Sequence, residues 1–199
     1  MTKFASFVGC LGGMGKTTLV LNIASVLAYQ HGRHVLLIDI DNQKNISKYK
    51  HNIKGNLNSI SRPLYVIDEP YFSQYDYVMF DCPPYVNDTV RSAIRRSDLV
   101  IAPVIYSWGL HLHTKLLSTF LNRDDTNKVF YIPNKIDNHF PAISYERCFS
   151  HGLSYSYSIF RSSLESTALI NSSMAANEPD YKRTHIELEN ITSEFLEHQ

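Results

Sequence analysis

The 199-residue sequence predicts an α/β fold in which a mostly parallel, doubly wound sheet is flanked by helices. Three observations support this prediction. Short apolar runs alternate with segments of helical spacing, which is typical of buried parallel strands connected by helices. A glycine-rich stretch separates the first apolar run from the first helical segment. Acidic residues lie at the ends of two later apolar runs.

The predicted elements follow the chain in order. Strands are expected at 3–9, 34–39, 77–81, 99–104 and 129–132, a weak strand or turn at 64–67, and a last short strand at 153–159. Helices are expected at 17–29, 90–96, 110–121, 143–150, 162–176 and 183–198. The polar, lysine-rich residues 44–62 suggest a short helix and a surface loop. Since no repeat or linker interrupts the pattern, we expect residues 1–199 to form a single domain.

Composition excludes several classes of protein. The hydrophobic content of 44% is ordinary for a globular chain, and no apolar run approaches the roughly 18 residues of a membrane span. The 19 basic and 19 acidic residues cancel, so any nucleic-acid binding must come from a local patch. The first residues lack the form of a signal peptide, which favours a cytoplasmic protein. Three widely spaced cysteines argue against a disulfide framework.

The glycine-rich stretch has the context of a phosphate-binding loop. It reads Gly9-Cys10-Leu11-Gly12-Gly13-Met14-Gly15-Lys16-Thr17-Thr18, between the first predicted strand and the first predicted helix. Glycines let backbone N–H groups converge on an anion, and the helix N-terminus and Lys16 add positive charge. The hydroxyl of Thr17 is expected on a magnesium ion. The strict loop pattern has glycine where this chain has Cys10.

Acidic residues lie where predicted strands end. Ligands of parallel α/β sheets bind outside these carboxyl ends. Asp81 follows four apolar residues, as does the acidic residue that holds magnesium through water near a phosphate loop. Asp39 and Asp41 alternate along their strand, so one can face a metal while the other faces an attacking water.

These residues resemble the ParA/MinD family of deviant Walker A ATPases, and most of all its small ParA-type partition members. The matching stretches are 11–18, 35–43 and 75–84, with a weaker match at 97–104. They run in order over about the first hundred residues, at the spacing of the family. The remaining residues resemble it only in their order of strands and helices. The resemblance implies a P-loop NTPase fold and an ATP hydrolase that uses ATP and Mg²⁺.

The resemblance also implies a role for each matching residue. Lys16 contacts the outer phosphates, Thr17 binds magnesium, Asp41 positions the hydrolytic water, and Asp39 and Asp81 support the metal shell. The nucleotide-binding residues carried over are Leu11, Gly12, Gly13, Met14, Gly15, Lys16, Thr17, Thr18 and Asn134. Asn134 is expected to read the amino edge of adenine.

Family members act as switches, and the resemblance implies the same partners here. They form a homodimer around two ATP molecules, bind nonspecific DNA in that state, and are stimulated by a cargo-bound, ParB-like partner protein. Such a protein is cytoplasmic and nucleoid-associated, without a membrane partner. The DNA-facing candidates, by approximate position, are Arg95, Arg96, Arg161, Lys182 and Arg183.

One position departs from the family pattern. Members carry a signature lysine just before the two glycines, which reaches the phosphates bound by the partner subunit, and here that position is Leu11. A leucine cannot donate to a phosphate. Lys135, Arg161 and Lys182 are conceivable substitutes, and hydrolysis is expected to be slow if none replaces it. Some carboxysome-positioning relatives also lack this lysine.

Two alternatives stay open at this stage. Residues 134–137 fit Asn-Lys-x-Asp, the guanine-reading motif of many GTPases, so GTP is a possible substrate. A nucleotide-binding regulatory or assembly factor with weak hydrolysis would also explain Leu11 and the neutral net charge.

Overall fold

In the part of the chain that the structure describes, seven parallel strands form one sheet. The computed structural model describes residues 1–61, 69–105, 115, 117–119, 121–136, 147–164 and 168–199. The strands are β1 Lys3–Phe7, β2 Val35–Asp39, β3 Leu57–Ile60, β4 Tyr77–Asp81, β5 Leu99–Val104, β6 Val129–Ile136 and β7 Leu153–Ser154. Their spatial order is β3-β2-β4-β1-β5-β6-β7, and every neighbouring pair is parallel. The predicted fold class is therefore confirmed.

Helices cover both faces of this sheet. They are α1 Lys16–Tyr29, α2 Glu69–Phe72, α3 Asp88–Arg96, α4 Arg123–Thr126, α5 Tyr157–Leu164 and α6 Tyr181–Glu197, with 3₁₀ helices at Ile46–Asn52, Leu169–Asn171 and Ala175–Asn177. The helix α1 is buried on nearly every side because it lies between the sheet and α6, and both pack into one core with β1. The other core contains Val90, Ala93 and Ile94 of α3. The sheet is thus doubly wound, as predicted.

Local sequence mispredicted several elements, although the expected helix at 183–198 corresponds to α6, Tyr181–Glu197. The expected strand at 153–159 stops at Ser154, because the carboxylate of Asp180 accepts hydrogen bonds from the N–H groups of Tyr157 and Ser158 and caps α5 there. The expected helix at 162–176 is wrong: α5 begins at Tyr157, and two 3₁₀ turns follow residue 168. The edge strand β3 was missed within the polar stretch 44–62, since only Leu57 of its four residues is buried.

A further difference concerns residues 147–150, which were expected to end a helix. Cys148 instead forms a parallel bridge to Tyr131, whose backbone bonds to Arg147 and Phe149 extend the sheet beyond β6. The expected strand or turn at 64–67, residues 143–146, and most of the expected helix at 110–121 lie outside the described residues, although 115 and 117–119 are helical. In the described part of the chain, no helix has both the length and the apolar character that crossing a bilayer requires.

Candidate functional site

The glycine-rich loop connects the central strand β1 to α1 at the carboxyl edge of the sheet. Gly15 precedes α1 with a φ of 90°, in the left-handed region where a Cβ is unfavourable. A Cβ built on Gly15 would lie 2.2 Å from Nδ2 of Asn134. No heavy atom lies within 4 Å of a Cβ built on Gly12 or Gly13. The loop is therefore packed closely at its helix end and open at its centre.

Lys16 is the buried cation of the loop. Its side chain is 7% exposed, and Nζ donates a hydrogen bond of 3.3 Å to the carbonyl oxygen of Leu11. Burial lowers the pKa of Lys16, and the carboxylates of Asp81 and Asp41 oppose that shift. Since a neutral carbonyl compensates a buried ammonium poorly, the environment favours the arrival of an anion.

Asp81 lies opposite Asp39, because β4 and β2 are neighbours in register. Thr17 Oγ1 donates to Asp81 Oδ2 over 2.7 Å. The other oxygen, Oδ1, is buried and has no hydrogen-bond partner among the described residues. Burial raises the pKa of Asp81 to about 7, with the Thr17 hydrogen bond opposing the rise and Asp39 adding to it. An orphaned, fully buried carboxylate oxygen beside a hydroxyl fits a cation at this place.

The two alternating aspartates have different surroundings. Asp39 accepts hydrogen bonds from the N–H groups of Asp41 and Ile46, and burial raises its pKa despite them. It thereby anchors the 3₁₀ helix that follows β2. Asp41 accepts from the N–H of Gln43 over 3.0 Å, and its side chain lines the cavity above the loop. Of the pair, Asp41 is the one that lines this cavity, while both line a neighbouring cavity of about 260 Å³.

That cavity has a volume of about 280 Å³. Its walls are Gly12, Gly13, Gly15, Lys16, Thr17, Thr18, Asp41, Gln43, Asn45, Pro84 and Lys135. The sequence predicted seven of these residues as part of the site. It missed Gln43, Asn45 and Pro84, which follow the predicted strand ends, and it considered Lys135 only as a substitute cation. The lining includes two lysines, Lys16 and Lys135, and a cationic lining suits a phosphate chain.

A second cavity, of about 290 Å³, adjoins the first. Both include Gly15, Thr18 and Lys135, and the second extends past Asn134 to β7 and the start of α5. Asn134 is buried at the end of β6, and its Nδ2 donates to the carbonyl oxygen of Met14 over 2.7 Å. Because a carbonyl can only accept, this bond orients the amide and makes Oδ1 its acceptor end.

No cluster of three or more His, Cys, Asp and Glu side chains suited to a metal occurs among the residues that the structure describes. Magnesium at phosphate sites needs few protein ligands, since it retains water and binds phosphate oxygens. The Thr17 hydroxyl and the orphaned Asp81 oxygen fit this kind of site.

Residues 6–147 match the CobQ/CobB/MinD/ParA nucleotide binding domain. The chain belongs to this family. The ParA/MinD resemblance expected from the motifs is thereby confirmed.

Several known proteins are similar to this ParA/MinD family member. The sporulation initiation inhibitor protein Soj from Bacillus subtilis (strain 168) is 27% identical over 149 residues, which cover 52% of this chain and 58% of Soj. The chain thus spans less than two thirds of the length of that relative.

Solved structures share the fold along the chain. A protein described as a plasmid partition protein from Borrelia burgdorferi B31, bound to AMPPNP, superposes with a TM-score of 0.77 at 19% identity and full coverage of both chains. The septum site-determining protein MinD from Pyrococcus horikoshii OT3, complexed with Mg-ADP, gives a TM-score of 0.66 at 16% identity and covers 94% of each chain.

The candidate DNA-facing residues of this family member lie in two separate places. The Arg96 guanidinium lies over the rings of Phe4 and Phe72, 5.1 and 4.7 Å from their centroids, near the start of β1. Arg95 is its exposed neighbour. Arg183 instead donates to the carbonyl oxygen of Tyr155, just beyond the end of β7. Arg95 and Arg96 thus lie at the amino ends of the strands and Arg183 lies at the carboxyl ends, so they do not form one patch.

The three candidate substitutes for the missing lysine also differ. Arg161 donates to Glu178 over 2.8 Å in an ion pair, and Lys182 is exposed at the start of α6. Lys135 lines both cavities. Leu11 itself is 37% exposed and contributes its carbonyl to Lys16.

Proposed function

We propose that this ParA/MinD family protein is an ATPase that binds ATP and Mg²⁺ and hydrolyses ATP while it partitions or positions a cargo. The observation that carries the proposal is the buried Lys16 ammonium, held by a loop carbonyl beneath an open, polar cavity of about 280 Å³. Two relatives support it, since the Borrelia partition protein was solved with AMPPNP and the Pyrococcus MinD with Mg-ADP.

Each residue then has a defined task in this mechanism. The open glycine backbone and Lys16 bind the phosphates, because N–H groups and an ammonium at a helix N-terminus stabilise negative charge. Thr17 and Asp81 would hold Mg²⁺, which neutralises charge that develops on the phosphates. Asp41, at the cavity wall, orients the attacking water and accepts its proton.

The nucleobase is proposed to occupy the second cavity. The oriented Oδ1 of Asn134 accepts a hydrogen bond from the amino group of adenine, whereas the corresponding oxygen of guanine cannot donate one. This orientation favours ATP over GTP. The GTPase alternative depends on Asp137 as well, which lies outside the described residues.

We further propose that the ATP-bound protein forms a homodimer, binds nonspecific DNA and is stimulated by a cargo-bound, ParB-like partner, in the cytoplasm and on the nucleoid. The side chain of Leu11 is exposed at the rim of the site, where another subunit could contact it, and this exposure supports the proposed dimer. The second candidate, a regulatory or assembly factor with weak hydrolysis, is favoured by the same residue, because leucine supplies no charge to a phosphate across the dimer.

Calorimetric titration with ATP and with GTP, each with and without DNA, separates these functions. The proposal expects ATP to bind more tightly than GTP, and DNA retention and a doubled mass by light scattering only with ATP. The variant K16A is the control and should bind neither nucleotide. Dimerisation without measurable phosphate release would favour the regulatory factor. Preference for GTP, or an ATP-bound monomer that does not retain DNA at low salt, would contradict the proposal.

A further inference from the structure

Lys135 occupies an irregular position in β6. Asn134 pairs with Leu153 and Ile136 with Ser154, so two steps along β6 correspond to one along β7 and the register shifts at Lys135. Its φ is 54°, in the left-handed region that a residue with a Cβ rarely adopts. A β-bulge of this kind redirects a side chain, and bulges are frequent beside active sites.

The consequence is visible in where neighbouring side chains lie. In a regular strand, consecutive side chains point to opposite faces. Here both reach the same loop: Asn134 Nδ2 donates to the Met14 carbonyl over 2.7 Å, and Lys135 Nζ donates to the Gly13 carbonyl over 2.9 Å. The bulge therefore brings a second ammonium group to the glycine-rich loop.

The two lysines approach this loop in parallel ways. Lys16 donates to the carbonyl of Leu11, and Lys135 donates to that of Gly13, two residues further along. Lys135 is exposed, and no carboxylate pairs with it within the described ranges, in contrast to Arg161 with Glu178. Lys135 also lies where the two cavities meet, so its charge is close to any ligand that spans both.

We propose that Lys135 is a second phosphate-contacting cation of the same protomer. When a nucleotide binds, its ammonium exchanges the neutral Gly13 carbonyl for an anionic oxygen of the phosphate chain, which is the stronger, charge-assisted hydrogen bond. It thereby supplies, within one subunit, part of the positive charge that Leu11 does not provide. This inference rests on the proposed nucleotide binding.

The experiment titrates ATP, ADP, AMP and adenosine into the wild type, K135M and K135R by calorimetry at low salt. K135M should weaken ATP binding by about tenfold or more, the size expected for one hydrogen bond between charged groups, and should leave adenosine binding unchanged. K135R keeps the charge and should retain most of the affinity. K54M removes an exposed lysine that lines neither cavity and should match the wild type.

Thermal unfolding of each variant checks its fold, and K135N provides a second neutral variant, because asparagine tolerates the left-handed backbone. Equal losses for ATP, ADP, AMP and adenosine would overturn the inference, since the side chain would then act on the nucleoside or on the loop shape. Unchanged ATP binding by K135M would overturn it as well. A wild type that binds none of the four ligands contradicts the proposed function itself.

Discussion

Asp41 and Asp39 differ in what their carboxylates contact. The oxygens of Asp39 accept hydrogen bonds from two backbone N–H groups, whereas Asp41 lines the cavity and accepts one bond from Gln43. An asparagine at 41 keeps the shape and that hydrogen bond but cannot accept a proton from water. We expect D41N to bind ATP as the wild type does and to release phosphate at least about 100-fold more slowly.

Phosphate release and nucleotide affinity, measured on the same preparation, check this expectation. The matched variant is D39N, which should lower stability, because its side chain anchors the 3₁₀ helix through the N–H of Ile46. If D41N hydrolyses ATP at the wild-type rate, Asp41 does not position the water.

Gly15 is constrained both by its backbone and by its neighbour. A φ of 90° is unfavourable for alanine by about 1–2 kcal/mol, and the added Cβ would lie 2.2 Å from Asn134 Nδ2. We expect G15A to lower the free energy of unfolding by about 2 kcal/mol or more, measured in urea without nucleotide. The control G12A places its Cβ in open space and should change stability by less than about 0.5 kcal/mol. Equal effects of both variants would contradict this account.

At the scale of elements, α6 holds the segment that forms one wall of the second cavity. Three carboxylates spaced seven residues apart belong to this arrangement: Asp180, which directly precedes α6, and Glu187 and Glu194 within it. Glu187 accepts from the N–H of Ser154 over 3.0 Å, and Glu194 from that of Ser150 over 2.7 Å. Edge strand β7 would otherwise leave such N–H groups without partners. The carboxylates of the last helix are therefore structural and do more than solvate the surface.

Glu194 gives this arrangement a pH dependence. Burial alone would raise its pKa, but hydrogen bonds from Ser150 and His151 outweigh burial and lower it. A lowered folded-state pKa means that the stabilisation is present above the unfolded pKa and is lost as the pH falls through the folded one. We expect E194Q to lower the free energy of unfolding by about 1–2 kcal/mol at pH 7.

Urea unfolding at pH 7 and at successively lower pH tests this expectation. The difference between E194Q and the wild type should shrink once the wild-type carboxyl becomes protonated. The control E197Q changes an exposed glutamate of the same helix and should have an effect below about 0.5 kcal/mol. A difference that does not vary with pH would show that the charge of Glu194 contributes nothing.

Hydrophobic patterning was sufficient to predict the elements that consist of continuous apolar runs. The predicted strands 77–81 and 99–104 coincide with β4 and β5, because every residue of these strands is buried. Patterning failed where tertiary hydrogen bonds decide the boundary of an element. The start of α5, for example, depends on Asp180, which follows the two 3₁₀ helices that come after α5. The edge strand β3 was missed because β2 provides its pairing while its own side chains are mostly exposed or half-buried.

The residues of the candidate site likewise include some that the sequence predicted and some that it could not. Motifs predicted Lys16 and Thr17, which begin α1 directly after the glycine-rich loop, and Asp41 and Asp81, which lie at or just beyond strand ends. Local sequence sets the position of each. The contacts of Lys135 with the loop could not be predicted, because they depend on the bulge between β6 and β7. The separation of Arg95 and Arg96 from Arg183 could likewise not be predicted, because it depends on the order of the strands in the sheet.

At the scale of the whole molecule, the two cationic groups lie at opposite ends of the strands, so only one of them is close to the cavities. Lys182 and Arg183 begin α6 at the carboxyl edge, close to the second cavity, whereas Arg95 and Arg96 lie at the far edge. If the proposed DNA binding depends on nucleotide, we expect it to use the α6 group. We expect K182A/R183A to weaken DNA retention and to reduce the salt-dependence slope by about 1.8, or about 0.9 for each phosphate contact.

DNA retention measured across a salt series checks both the affinity and the slope. The control R95A removes an exposed arginine at the opposite edge, with no effect on the slope expected. A reduced slope for R95A, together with an unchanged slope for K182A/R183A, would assign DNA to the other edge of the sheet.

The close approach of Gly15 to Asn134 has an evolutionary consequence. A side chain at position 15 can be accommodated only if position 134 becomes smaller or turns away, and that change would release the Met14 carbonyl from its partner. The two positions are therefore expected to covary among related sequences, with glycine at 15 accompanying asparagine at 134. A set of homologues in which they vary independently would show that this contact places no constraint on the loop.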